Sequence, residues 1–327
     1  MEVLVVTTTY PNPFIIPSPK PVPAELSLYE LGRTTRRDRW AILMIAEHRI
    51  LTTGQLTALG FDPESASTER RLRILARRGW LDRFAIGPTR TGTIEIVWCL
   101  GPLGAVLATH PHYPGPGPAH VYRQQQRLQA DPHLAELWDL NQFFVELATH
   151  ARGRAATDLR TWWSPRTCAD AIAPAKHRVW HGEYIHDGQR YGFWLEPDHG
   201  DTTIASVAGR IHRYRPVADR TGLATVLFRT TDPHREAALH QQLARLNLDQ
   251  LTVATTHPDA GHPATRVWLP AGARERLAMV DLPPTEQVEH PNDRALFLDA
   301  QNLAEHPIHD RSRPGDESIV DGGYSYI

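Results

Sequence analysis

The sequence predicts an α/β chain of the α+β kind in two domains: a helical module closed by a β-hairpin, then a domain in the order α-β-β-β-α-β. Three observations carry this. A helix dense in arginine, Ser65 to Arg78, stops at Gly79 and is followed by two short strand patterns. After Gly153 come three strand patterns, the last two joined by Asp187-Gly188, the dipeptide that tight hairpin turns favour. The third of these strands, Gln189 to Pro197, ends in two carboxylates one residue apart, Glu196 and Asp198, before Gly200 releases the chain.

At 327 residues and 36.8 kDa the chain has room for two cores. Its net charge of -2 conceals an uneven distribution. Residues 30–90 hold twelve Arg and no Lys against seven acids, roughly +5, whereas residues 281–327 hold ten acids against three Arg, roughly -7. A basic front suits a partner such as double-stranded DNA. Lysine occurs only at Lys20 and Lys176, a bias that GC-rich codon usage explains better than selection for bidentate contacts. Cys99 and Cys168 are too few for a disulfide framework or a thiolate zinc site. The first residues lack the basic lead of a signal peptide, and no apolar stretch approaches the roughly 20 residues of a membrane span. The expectation is a cytoplasmic protein with no membrane contact.

Residues 1–30 carry Pro11, Pro13, Pro17, Pro19, Pro21 and Pro23, which forbid helix and favour an extended arm. A first domain is assigned to residues 31–109. Trp40, Leu43, Met44 and Ala46 give one apolar helical face, with Arg36, Arg37 and Arg39 leading in. Thr52-Thr53 caps a short second helix, Gln55 to Leu59, which Gly60 and Pro63 break. In the third helix Leu72, Leu75 and Ala76 face inward. Trp80-Leu81, an arginine-bearing stretch to Arg90 and the strand Ile94 to Leu100 complete a hairpin. This is the order of a winged helix-turn-helix, whose third helix enters the DNA major groove. The expected DNA contacts are Ser67, Arg70, Arg71, Arg73, Arg77, Arg78 and Arg90. The alternative, a solvated basic helix of a protein-interaction module, explains less well why the arginines concentrate on one element.

Residues 110–120 read as a linker, with a boundary near Pro116; its histidines, His110, His112 and His120, lack an acidic or cysteine partner in register. The second domain is assigned to residues 121–280. A helical stripe of Leu134, Leu137, Trp138, Phe144, Val145 and Leu147 suits packing on a sheet. Strands follow at Asp158 to Trp163, Arg178 to Ile185 and Gln189 to Pro197. Then come a helix from Thr202 to Ala218, a strand to Arg229, a helix from Asp232 to Leu246, and strands near Leu251 and Arg266. Residues 281–327 read as an acidic, largely disordered tail. Trp162-Trp163, Trp180 and Trp194 suit a sheet core better than base stacking.

The α-β-β-β-α-β order is that of the PD-(D/E)XK nuclease-like fold. The chain resembles the replication-relaxation family of plasmid and mobile-element proteins. The resemblance rests on Leu72-Arg73-Ile74-Leu75, Gly79-Trp80-Leu81, Trp98-Cys99-Leu100-Gly101-Pro102-Leu103-Gly104, His133-Leu134-Ala135-Glu136, Asn141-Gln142-Phe143-Phe144 and Gly192-Phe193-Trp194-Leu195-Glu196-Pro197-Asp198. It implies a winged helix joined to a nuclease-like domain, a role in replication or mobilisation, and relaxosome or replication proteins as partners. A homodimer on a paired DNA site is expected. If the second domain cuts DNA, Glu196 and Asp198 would bind Mg²⁺ or Mn²⁺ and Glu183 would be a substitute acid, making the protein a metal-dependent endonuclease. The residues depart from that pattern, because Asp198 stands where the lysine belongs and Arg178-Val179 where the second acid belongs. A degenerate, DNA-binding domain with no cofactor is therefore the favoured expectation, and a winged-helix transcriptional regulator the further alternative.

Overall fold

A computed structural model describes residues 29–61, 65–87, 89, 92–108, 118–171 and 178–285. The proline-rich arm up to residue 28, Arg90, His110, His112, Pro116 and the tail from residue 286 lie outside the described residues. The chain divides into two compact units, one up to Val145 and one from Glu146. Both helices and antiparallel or mixed sheets are present, so the class is α+β.

In the first unit, α1 (Arg36–His48) begins at Thr35, whose side chain accepts the Asp38 N–H while Asp38 accepts the Thr35 N–H. This reciprocal cap satisfies two of the helix's orphan donors. The strand β1 (Leu51–Thr52) leads into α2 (Thr53–Ala58), where Thr52 and Gln55 repeat the device. Helix α3 (Ser65–Arg77) buries Thr68, Leu72, Leu75 and Ala76. It ends two residues before Gly79, which adopts φ +82, a region that glycine enters without strain. The hairpin strands β2 (Leu81–Ile86) and β3 (Glu95–Leu100) join β1 in an antiparallel sheet of order β1-β3-β2. Trp40, Ile45, Leu56, Leu72, Trp80 and Trp98 fill the core between helices and sheet.

Helix α4 (Pro102–Ala108), absent from the sequence reading, packs close to the turn after α3: a Cβ on Gly104 would stand 2.2 Å from the Trp80 carbonyl oxygen. Helix α5 (Pro118–Gln129) starts inside the stretch expected to be linker, since proline is tolerated in a first helical turn. The unit boundary falls within α6 (Leu134–Arg152). On the first-unit side, Asn141 donates to the Ile50 carbonyl at 2.7 Å, and Gln55 donates to the Trp138 carbonyl at 3.2 Å.

The second unit holds a six-stranded sheet in simple order: β4 (Thr157–Trp163), β5 (Trp180–His186), β6 (Gln189–Pro197), β7 (Thr225–Arg229), β8 (Thr252–Thr256) and β9 (Leu269–Pro270). The first three are antiparallel, β6 to β8 are parallel, and β9 returns antiparallel. Asp187 and Gly188 both take positive φ and close the β5–β6 hairpin where the sequence places its turn; the strand runs on to His186, which pairs with Gln189, so the loop is two residues rather than three. A short helix, α7 (Pro165–Ala171), separates β4 from β5. The single helix expected from Thr202 to Ala218 is instead α8 (Ile204–Gly209), a 3₁₀ turn (Arg210–Arg213) and α9 (Arg215–Thr221). Pro216 explains the break, because its ring excludes the helical hydrogen bond and clashes with the preceding turn. Helix α10 (Pro233–Leu243), capped by Asp232, connects β7 to β8.

One sheet face packs Trp163, Trp194, Val226, Phe228 and Val253 against Val207, Ile211, Tyr214, Leu239 and Leu243. Trp162, Trp163, Trp180 and Trp194 are all buried, as a core reading requires. Past β9, Thr285 still donates its N–H to the Arg190 carbonyl at 2.6 Å. No helix among the described residues is long and apolar enough to cross a membrane.

Candidate nucleic-acid interface

The arginines of α3 divide by their position around the helix. At 100° per residue, Arg70, Arg73 and Arg77 fall within an arc of about 60°, opposite the buried stripe. All three are exposed. Arg73 pairs with Glu69 at 2.5 Å, one turn earlier, while Arg70 and Arg77 make no hydrogen bond or ion pair among the described residues. Ser67 lies half-buried in the first turn.

Arg71 points elsewhere. Its Nε donates to Asp38 Oδ1 at 2.8 Å and its Nη2 to Oδ2 at 2.5 Å, a bidentate clamp on a carboxylate that is 1% exposed. The same Asp38 caps α1, so one buried acid ties the start of α1 to the middle of α3. Arg78 reaches the Arg33 carbonyl at 3.2 Å, and burial, with Arg33 and Arg71 nearby, lowers its pKa. Of the residues expected to meet DNA, Arg70, Arg73 and Arg77 thus share one open face, whereas Arg71 is engaged by the buried Asp38 and Arg78 reaches back to the Arg33 carbonyl. Asp38 carried a local signal, an acid at the third helical position after a threonine. The arginines around it obscured that signal.

The acidic pair at the end of β6 is not open either. Glu196 is 1% exposed; its Oε1 accepts the Tyr214 hydroxyl at 2.6 Å, and Arg210 Nη1 lies 3.5 Å from Oε2. Burial raises the pKa of this carboxyl, opposed by the Tyr214 hydrogen bond and by Arg210. Asp198, 2% exposed, accepts Arg235 Nε at 2.5 Å and Nη2 at 2.8 Å, and its Oδ1 also accepts the Gly200 N–H at 3.2 Å. The Asp198 hydrogen bond raises the pKa of Arg235, which also donates to the Thr202 carbonyl at 2.6 Å. Arg210 adds longer contacts to the Pro197 carbonyl and the Thr202 hydroxyl. The two acids therefore lace the turn after β6 to the helices behind it.

Glu183 stands apart. On β5 it pairs with Gly192, four residues before Glu196 along β6, a separation of about 13 Å at the rise of an extended strand. It is buried, lies 3.2 Å from Arg190, and burial raises its pKa.

This donor set does not fit a divalent metal centre of the nuclease type. Both oxygens of Asp198 are held by a guanidinium, one oxygen of Glu196 is held by a phenol, and Glu183 is too distant to share an ion. Tyr214 and Arg235 were not anticipated as partners. Tyr214 belongs to an inward apolar spacing with Ile211, Val217 and Ala218, and an inward tyrosine needs an acceptor. Nothing local links Arg235 to Asp198, 37 residues earlier.

No curated protein matches the chain. A family model described as replication-relaxation matches residues 42–227, from within α1 to the middle of β7, and so takes in both α3 and the acidic pair. Covering more than half of its 327 residues, that match shows that the chain belongs to the replication-relaxation family.

Proposed function

We propose that the protein binds double-stranded DNA through α3 and acts in the cytoplasmic replication or mobilisation of a plasmid or other mobile element. The observation that carries this reading is the open stripe of Arg70, Arg73 and Arg77 on the face of α3 opposite its buried stripe. The element order of the first unit and its β1-β3-β2 sheet support a winged helix, in which the third helix lies in the major groove and the β2–β3 hairpin is the wing. In the second unit, three antiparallel strands and a helical crossover to a parallel strand support a nuclease-like core. The engaged state of Glu196 and Asp198 favours a domain that binds without cutting. A homodimer on a paired site, and replication or relaxosome proteins as further partners, belong to the same proposal.

Gel shifts across a salt series test this reading. A plot of log affinity against log salt should fall by about 0.9 for each phosphate engaged, and Arg70→Ala or Arg77→Ala should each make it shallower by about that amount. Salt-independent or absent binding would overturn it. Metal-dependent cleavage that disappears in Glu196→Ala would favour the endonuclease instead.

A further inference from the structure

The exposed face of α3 carries one feature that phosphate binding does not call for. Glu69 puts a carboxylate, with its side chain 40% exposed, beside Arg73, 53% exposed. Duplex DNA presents one negative charge about every 1.7 Å of its axis. An interface built only for phosphates is weakened by an anion in its middle. A carboxylate is useful there if it meets a base edge.

Resting on the reading that α3 enters the major groove, we infer that Glu69 and Arg73 form a base-reading pair for a G·C base pair, while Arg70 and Arg77 take the flanking phosphates. The donor and acceptor counts agree. Arg73 Nη2 gives one N–H to Glu69 Oε1, which leaves other guanidinium N–H groups to fork onto guanine O6 and N7. Glu69 Oε2 has no partner among the described residues, and is left to accept from cytosine N4. The salt bridge aligns the guanidinium before DNA arrives, in the favourable order of an acid one turn N-terminal to a base. Arg70 and Arg77 lie on either side of Arg73 along the same stripe with no protein partner among the described residues, the arrangement that phosphate contacts require.

The test is selection from a pool of random duplexes by the full chain, followed by affinity measurements on the selected duplex and on the same duplex with its G·C pair changed to A·T. The expected result is a selected site with an invariant guanine, and a wild-type preference of about tenfold or more for G·C at that position. Arg73→Ala should abolish the preference and Glu69→Gln, which keeps the Arg73 fork on guanine, should reduce it; Glu69→Gln should also bind unselected duplex more tightly than wild type. Arg70→Ala and Arg77→Ala should weaken both duplexes equally and lower the salt slope by about 0.9 each. Melting of every variant by circular dichroism confirms folding, which these exposed positions leave intact. If Glu69→Gln keeps the wild-type preference at every selected position, the pair does not read bases. Recovered duplexes with no common sequence would also overturn the inference while DNA binding itself stands. If no duplex is recovered, DNA binding fails and the inference falls with it.

Discussion

Replacing Arg71 with alanine separates an arginine that holds the fold from one that holds DNA. In the folded chain its guanidinium clamps Asp38, whose side chain is 1% exposed, while Arg71 itself is 16% exposed. Without Arg71 the carboxylate stays buried with the Thr35 N–H, at 2.8 Å, as its remaining hydrogen-bond donor among the described residues. Removing one partner of a buried ion pair destabilises by about 3–5 kcal/mol, and the remaining cap together with the partial exposure of Arg71 point to the lower end, about 3 kcal/mol. With a denaturant slope of about 2 kcal/mol per molar urea, the unfolding midpoint drops by about 1.5 M. Trp40, Trp80 and Trp98, all buried in the same unit, provide a fluorescence readout. DNA affinity, measured where the variant is still folded, falls for every duplex while the salt slope stays at its wild-type value. Arg77→Ala should do the reverse, with the slope reduced by about 0.9 and stability changed by less than about 0.5 kcal/mol. An Arg71→Ala variant with wild-type stability and a reduced slope would refute the reasoning and return Arg71 to the DNA contacts.

Other consequences concern the second unit. Burial keeps the Glu196 carboxyl protonated above its ordinary value of 4.5, so stability linked to that proton is complete below pH 4.5 and is lost as pH rises through the folded value. Glu196→Gln, which retains an acceptor for Tyr214, should flatten that loss; unfolding midpoints across the pH range check it, and an unaltered profile contradicts it. His150 behaves oppositely: burial first, then Arg154, His262 and His186, push it down from 6.5 to about 4, so stability is lost as pH falls through that interval. Its Nδ1 lies in hydrogen-bond contact with the Tyr184 hydroxyl at 2.6 Å, and His150→Gln, whose amide can either donate or accept there, should remove part of the acid-side loss in the same titration. Chelation of divalent metal with EDTA should leave DNA affinity unchanged, because the acids after β6 are held by Arg235, Tyr214 and Arg210. A large drop in affinity under EDTA would show that an ion is part of the interface.

The elements were legible where one local rule decides them. Thr52 as a cap, Gly79 as a stop and Asp187-Gly188 as a turn each depend on neighbouring residues alone, and each takes its expected place. The parallel pairing of β6 with β7, and the assignment of each charge to its partner, depend on residues far apart in sequence. Arg71 and Arg73 are both arginines on one helix, yet the first lies across from Asp38, 33 residues away, and the second beside Glu69, four residues away. Only angular position separates their roles. The acidic pair shows the same limit. Alternation along β6 marks Glu196 and Asp198 as acids at a strand end, but an acid awaiting metal and an acid held by arginine look identical in sequence. The break between α8 and α9 has a local signal in Pro216, which cannot continue a helix begun at Thr202.

The central claim is that α3 meets DNA through Arg70, Arg73 and Arg77. The most direct measurement is the salt dependence of duplex binding for wild type and for the triple alanine variant at these positions. Steep salt-dependent binding is expected of wild type, with a loss of about 1.8 from the slope in the triple variant, the share of the two phosphate contacts of Arg70 and Arg77, and with its stability preserved. A well-folded triple variant that binds duplex with the wild-type affinity and slope would contradict it.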